Sequence, residues 1–328
     1  MQRSICAASL TGVLALALAA CGGGNGDSST QPPQGQYEGA ATAGDYATLN
    51  VSGSTVSYNL TGANFGPASG TLNLTQAFGD FWQSTSPALG VLLTDNLAVA
   101  RVPVGGGAFA YVVGLQLEGP PDPNTIANKH YLYIEIKNDN TTSGWDVHFL
   151  ANGTFTASGI GGGSASGCWK PLGNHFVGKL NLTDCSGVTD TSADYRFVIK
   201  PGSSRSGIVV DYVDGSGVGI GLEQVPLTAG DLTGTYSAYY QEPGTADFSQ
   251  VTVNGASFSW ARCPSGSCAA PSVTGTIVLN QLCSGLAYDG VACATDNSGN
   301  TYNLLIDPDD DYYFAVGYSR SYLEVGSR

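Results

Sequence analysis

The sequence predicts an all-β protein: three tandem related antiparallel β units, small barrels or sandwiches, behind an N-terminal leader and a flexible tether. Three observations carry that prediction. Composition is the first: 328 residues include 46 glycines, 42% hydrophobic residues and only 12% charged ones, where an average domain has about 7% glycine and about 25% charge. Such a chain has the apolar side chains for cores and the glycines for many turns. An internal repeat is the second observation. The third is a period of two along the body, with no stretch of a dozen or so residues showing a capped helical face.

The leader comes first. Arg3 is the only charge before Asp27, and the apolar run that follows it ends in Leu18-Ala19-Ala20-Cys21. A positive start, a short apolar segment and small residues at its end predict a signal peptide over residues 1–20. The four residues Leu18 to Cys21 resemble the lipobox of bacterial lipoproteins. The resemblance implies that Cys21 is the acylated first residue of the mature chain, so that the membrane is a partner through a lipid anchor. Gly22 stands where that family's inner-membrane retention signal has Asp, which implies the outer membrane as the location in the cell envelope. Residues 21–36, rich in Gly, Ser and Pro, predict a lipidated tether that holds the body on the order of 20 Å from the bilayer.

The body divides into units 37–119, 120–231 and 232–328. A strand, a glycine turn and a second strand recur around Gly53, Gly153 and Gly255, which are 100 and 102 residues apart. A second landmark is the glycine-led strand that opens at Gly70, Gly178 and Gly275. A third is the glycine between apolar residues at Gly114, Gly221 and Gly317, which follows the second by 44, 43 and 42 residues. Asn152-Gly153 and Asn254-Gly255 predict two-residue hairpin turns. Leu132, Ile134 and Ile136 alternate with Tyr133, Glu135 and Lys137, as in a half-buried strand. The third unit reads as a meander of strands at 234–241, 248–253, 257–262, 276–281, 291–295, 301–306, 312–317 and 322–325. An outer-membrane barrel built from all the strands is set aside because strands of six to eight residues fall short of the roughly 9–11 needed to span. A propeller of four-stranded blades lacks a repeat near 50 residues.

Six cysteines remain once Cys6 leaves with the leader and Cys21 is acylated. An even set in an exported chain predicts disulfides. Cys168 and Cys185 are the only pair in the second unit. In the third, local pairs Cys263 with Cys268 and Cys283 with Cys293 are expected, the alternative being Cys283 joined to Cys263 or Cys268. Cys185 and Cys283 both follow the second landmark, which places them at equivalent strand ends. Oxidation in an exported chain argues against a zinc site at Cys168, His175 and Cys185, whose spacing fits no zinc motif.

The net charge of −14 argues against a nucleic-acid partner. No G-x-S-x-G elbow and no glycine loop opening a helix are present, so neither a catalytic constellation nor a cofactor motif emerges. The only histidines are His130, His148 and His175. A hydrolase would have to gather them with carboxylates in one cleft. Asp307, Asp309, Asp310 and Asp311 form a carboxylate cluster that offers oxygen ligands to calcium, although Pro and Asp also make a hairpin turn. Trp82, Trp145 and Trp169 are the candidate ligand platforms, for a carbohydrate or a protein, because ring faces offer flat apolar area with polar edges. Trp260 alternates with Phe258 as a core residue does. The expected role is a membrane-anchored binding module, with an envelope hydrolase or a structural envelope protein as alternatives.

Overall fold

The computed structural model describes residues 31–328 except 86–87, 138–140, 203, 243–244, 265–266, 308–311 and 319–321. The leader and Cys21 lie outside the described residues. Each unit is a closed barrel of eight antiparallel strands in sequential order. The first barrel holds β1 (Gly35–Ala41), β2 (Asp45–Ser52), β3 (Thr55–Gly62), β4 (Ala68–Phe78), β5 (Phe81–Thr85), β6 (Ala88–Leu93), β7 (Leu97–Gly105) and β8 (Ala108–Gln116). The second holds β9 (Lys129–Lys137), β10 (Thr142–Phe149), β11 (Thr154–Gly159), β12 (Ser164–Leu172), β13 (His175–Leu180), β14 (Tyr195–Pro201), β15 (Ser206–Tyr212) and β16 (Gly217–Glu223). After the one-turn helix α1 (Ala229–Leu232), the third holds β17 (Gly234–Glu242), β18 (Thr245–Asn254), β19 (Ser257–Arg262), β20 (Val273–Gln281), β21 (Ala287–Asp296), β22 (Thr301–Asp307), β23 (Tyr312–Gly317) and β24 (Leu323–Ser327). Closure pairs the last strand of each barrel with its first, which leaves no sheet edge open. Strands run longer than the sequence predicted, up to 11 residues in β4. Strand length therefore does not exclude one large barrel; closure in eights does.

The hairpin landmark repeats faithfully between the second and third strands. Ser52 pairs with Thr55 and Asn254 with Ser257, leaving two-residue turns whose first residues, Gly53 and Gly255, have φ of 59° and 58°. Only glycine takes that position without steric cost. The second barrel differs from expectation: its turn is four residues, 150–153, closed by Gly153 N–H to Leu150 O at 3.1 Å.

The other two landmarks slip by one strand in one unit each. Gly178 lies on a fifth strand, whereas Gly70 and Gly275 lie on fourth strands. The structural equivalent in the second barrel is Gly167. All three of these glycines pair across the sheet with an aromatic residue of the third strand: Tyr58, Phe155 and Phe258. A Cβ on any of them would lie 2.4–2.7 Å from ring atoms, so the ring is laid over bare backbone. Cys185 and Cys283 accordingly follow different strands, the fifth and the fourth. Likewise Gly317 is on a seventh strand, while Gly114 and Gly221 are on eighth strands. Generic Gly-x-Leu strand patterns explain the false alignment.

Three disulfides join Cys168 to Cys185, Cys263 to Cys268 and Cys283 to Cys293.

Each barrel has its own interior cluster, and a further cluster lies between barrels. The shared core takes Phe81, Val99, Val113 and Leu115 from the first barrel, Leu132, Ile134, Val209 and Ile220 from the second, and Phe248, Leu305, Phe314 and Val325 from the third. Strands at this junction are buried on both faces: every residue of β15 and β23 is buried. Solvent-wall strands such as β3 alternate buried and exposed positions. The sequence-level reading of 132–137 as half-buried is corrected accordingly, since Leu132 and Ile134 point out of the second barrel into its neighbours while Tyr133 points in. Directed contacts fix the docking. Phe81 and Phe248 have ring centroids 4.3 Å apart, and the Tyr111 hydroxyl donates to Tyr239 O at 2.7 Å. Arg205, 2% exposed, donates to Ile306 O at 2.8 Å. Arg196 bridges the first two barrels: it pairs with Asp211 at 2.6 Å and donates to Thr61 O at 3.1 Å.

Candidate functional site

The three barrels share an architecture but not an interior. In the first, the inward residues include Leu49, Val56, Leu60, Trp82, Val91 and Val102, and no member of the interior cluster is more than 7% exposed. In the second, Phe149, Phe155, Trp169, Phe176 and Phe197 stack through the lumen and leave about 50 Å³, room for a water or two. The third encloses about 270 Å³. Ligand pockets run from about 300 Å³ upward and a dry 150 Å³ cavity takes benzene, so this lumen suits a ligand of one or two rings.

All eight strands of the third barrel contribute walls to it, in the i, i+2 alternation that defines the inner face. Val251, Val253, Ile277, Ala294, Leu304 and Ala315 form the apolar part. At one end Leu227 and Leu232, from the segment that leads into β17, join the cluster of Tyr236 and Val253, and the Tyr236 hydroxyl donates to Leu232 O at 3.1 Å. Toward the other end stand the rings of Tyr240, Trp260, Tyr302 and Tyr322. Tyr240 meets Trp260 at 5.4 Å, nearly edge to face, and Tyr322 at 6.1 Å, stacked; Tyr302 meets Tyr322 at 5.0 Å. Trp260, Tyr302, Leu304 and Tyr322 face inward yet remain only half-buried, as the walls of an open lumen must.

Three carboxyl groups, of Glu242, Asp296 and Glu324, sit in this wall. Glu324, 3% exposed, accepts from Trp260 Nε1 at 3.0 Å, from the Tyr322 hydroxyl at 2.8 Å and from the Ser249 hydroxyl. Burial pushes its carboxyl above the usual range, and these donors pull it part of the way back. Asp296, at the end of β21, accepts from Ser298 N–H and Asn300 N–H, both at 2.8 Å, from Asn300 Nδ2 at 2.8 Å and from the Tyr302 hydroxyl at 3.1 Å. Burial acts upward on it, but the hydrogen bonds outweigh that and hold it below the usual range. The second barrel has a related group: Glu135 accepts from Ser143 and lies 3.4 Å from Trp145 Nε1. Unlike Glu324, it also has a basic partner, Lys137 Nζ at 3.7 Å.

The sequence-derived candidates fall elsewhere. Trp82 and Trp169 are buried inside the first and second barrels, 3% and 4% exposed, and Trp169 Nε1 donates to Thr154 O at 3.0 Å. They are barrel fillers, not exterior platforms. Trp145 lines the small space in the second barrel. Trp260, read as a core residue, does face inward, but the core there is hollow. The histidines do not converge on a cleft. His130 and His148 stack on the second barrel with centroids 3.9 Å apart, His130 being half exposed and 3.5 Å from Asp146. His175 pairs separately with Asp190 at 2.6 Å. Cys168 and Cys185 are bonded to each other, which removes the zinc set. Asp307 is buried at the end of β22; Asp309, Asp310 and Asp311 lie outside the described residues, and among the described residues no group of three metal-ligating side chains is gathered.

Fold and lumen together define the class: a triple β-barrel protein whose third barrel is hollow. No family model matches the chain, and no curated protein does. Among solved structures, a transferrin-binding protein B double mutant of Haemophilus parasuis is 8% identical over 87% of this chain and 65% of its own, with a TM-score of 0.23. The DNA polymerase β subunit of Streptococcus pyogenes is 8% identical over 90% of this chain and 91% of its own, with a TM-score of 0.13. This chain thus spans about 65% of the first of these structures. Likeness at this level carries no argument about function.

Proposed function

We propose that this chain is a lipid-anchored protein of the cell envelope that binds a small organic molecule in the lumen of its third barrel. One observation carries the binding role: among the described residues of three barrels with the same strand order, the third leaves about 270 Å³ where the second leaves about 50 Å³, and the larger space is walled by aromatic rings with a few polar groups. The anchor rests on Leu18 to Cys21 and the tether behind them, which give the third barrel a tie to the outer membrane. Filling the lumen from its own wall tests the binding role. Ala315→Leu projects three more carbons into the void; it should leave the fold intact, stabilise the free protein by about 0.5–2 kcal/mol as cavity filling does, and abolish binding of single-ring probes such as 2-phenylethanol or 2-phenylethylammonium measured by calorimetry. If neither probe binds the unaltered protein, the reading is wrong. For the anchor, labelled palmitate should enter the wild type and not Cys21→Ala; equal label in both overturns it.

A further inference from the structure

The chemistry of the wall points to the charge of the ligand. We infer that the third barrel selects an organic cation, a primary or quaternary ammonium on a small apolar body; this rests on the lumen being a binding site at all.

The wall contains no lysine, arginine or histidine among the described residues, while it contains the carboxyl groups of Glu242, Asp296 and Glu324. Neither Asp296 nor Glu324 is in an ion pair with a described basic side chain; each is held by neutral hydroxyl, indole or amide donors. A buried carboxylate without a counter-charge is costly. A ligand cation supplies the missing charge. Rings surround the same space: Tyr240 with Trp260, Tyr240 with Tyr322 and Tyr302 with Tyr322 have centroids 5.0–6.1 Å apart, and aromatic faces attract a cation, more strongly in a dry setting. The hydrogen-bond chain is continuous with them, because Tyr302 donates to Asp296 and Tyr322 and Trp260 donate to Glu324. An anionic ligand would meet like charge and, among the described lining residues, no base. A neutral one would fill the void but leave the carboxyl groups uncompensated.

The test compares three ligands of one shape on the full-length protein by calorimetry: 2-phenylethylammonium, 2-phenylethanol and 3-phenylpropanoate. The ammonium is expected to bind at least tenfold more tightly than the alcohol, and the carboxylate not to bind. Tetramethylammonium, which has no ring, should compete with the ammonium. Glu324→Gln and, independently, Asp296→Asn should each narrow the ammonium-to-alcohol ratio. The wild-type comparison needs no variant, so misfolding of Glu324→Gln leaves it intact. Equal affinity for ammonium and alcohol, or preference for the carboxylate, overturns the cation selectivity while the binding site itself stands. Absence of binding by all three removes both readings.

Discussion

Phe248→Ala, in the third barrel, should destabilise the first barrel. Phe248 is 6% exposed, and its ring lies 4.3 Å from that of Phe81, which is fully buried in the first barrel. Gly90 passes beneath, so close that a Cβ there would lie 2.6 Å from Tyr239 and 2.9 Å from Phe248; the cavity left by truncation therefore has rigid backbone on one side and cannot collapse. Truncation of a buried Phe costs about 3–5 kcal/mol, and the aromatic pair adds about 0.5–1.5 kcal/mol beyond its area. Tryptophans provide separate reporters: Trp82 lies in the first barrel, Trp145 and Trp169 in the second, Trp260 in the third. In a background with the last three replaced by phenylalanine, urea unfolding followed by Trp82 fluorescence reads the first barrel alone. With a urea m-value of about 3 kcal/mol/M, its midpoint should fall by on the order of 1 M when Phe248 is truncated. Domain interfaces transmit so much only when they are large and apolar. An unmoved Trp82 midpoint, beside a third barrel that has lost stability, would refute the shared core as an energetic unit.

Other outcomes follow from the same junction and from the cross-links. Burial pushes the Asp211 carboxyl up to about 7, with Arg196 pulling the other way; the folded state then holds a proton that the unfolded chain, at 3.8, releases. Stability contributed by that proton is full below about pH 4 and is lost as pH rises to about 7, so Asp211→Asn should flatten the fall of unfolding free energy across this window, read by denaturant titrations at several pH values. Gly207→Ala puts a Cβ 2.0 Å from the Tyr312 hydroxyl and should cost about 1–3 kcal/mol, part of it recovered by adding Tyr312→Phe; equal melting of single and double variants would count against the contact. Replacing Cys168 and Cys185 together by Ala should lower stability by about 2–4 kcal/mol in the oxidised protein and do nothing after reduction of the wild type and variant alike, as thermal unfolding with and without reductant will show.

Much of the third barrel is legible from its residues. Its eight strands were predicted within a few residues at each end, because alternation, glycine turns and β-branched runs are local signals. The second landmark was misassigned at Gly178 because the pattern alone does not say which aromatic lies across the sheet; Gly167 is marked only by its pairing with Phe155. The site was also missed for a physical reason. Phe258 and Trp260 alternate as inward residues do in any barrel, and nothing local distinguishes a filled lumen from a hollow one, since filling depends on the summed volumes of side chains from eight strands. A signal was present in Glu324, a charge on the inward register between the outward Leu323 and Val325.

The sequence by itself determined the class of fold from local periods and the number of units from a repeat of about 100 residues, and it narrowed the cysteine pairing to a few short-range choices. Tertiary structure decided that each unit closes into a barrel, that the outer walls of three barrels fuse into a core of their own, and that the third lumen stays open. Those outcomes depend on which faces meet across the chain, as when Phe81 finds Phe248 or Arg205 finds the carbonyl of Ile306, and no local period encodes such meetings.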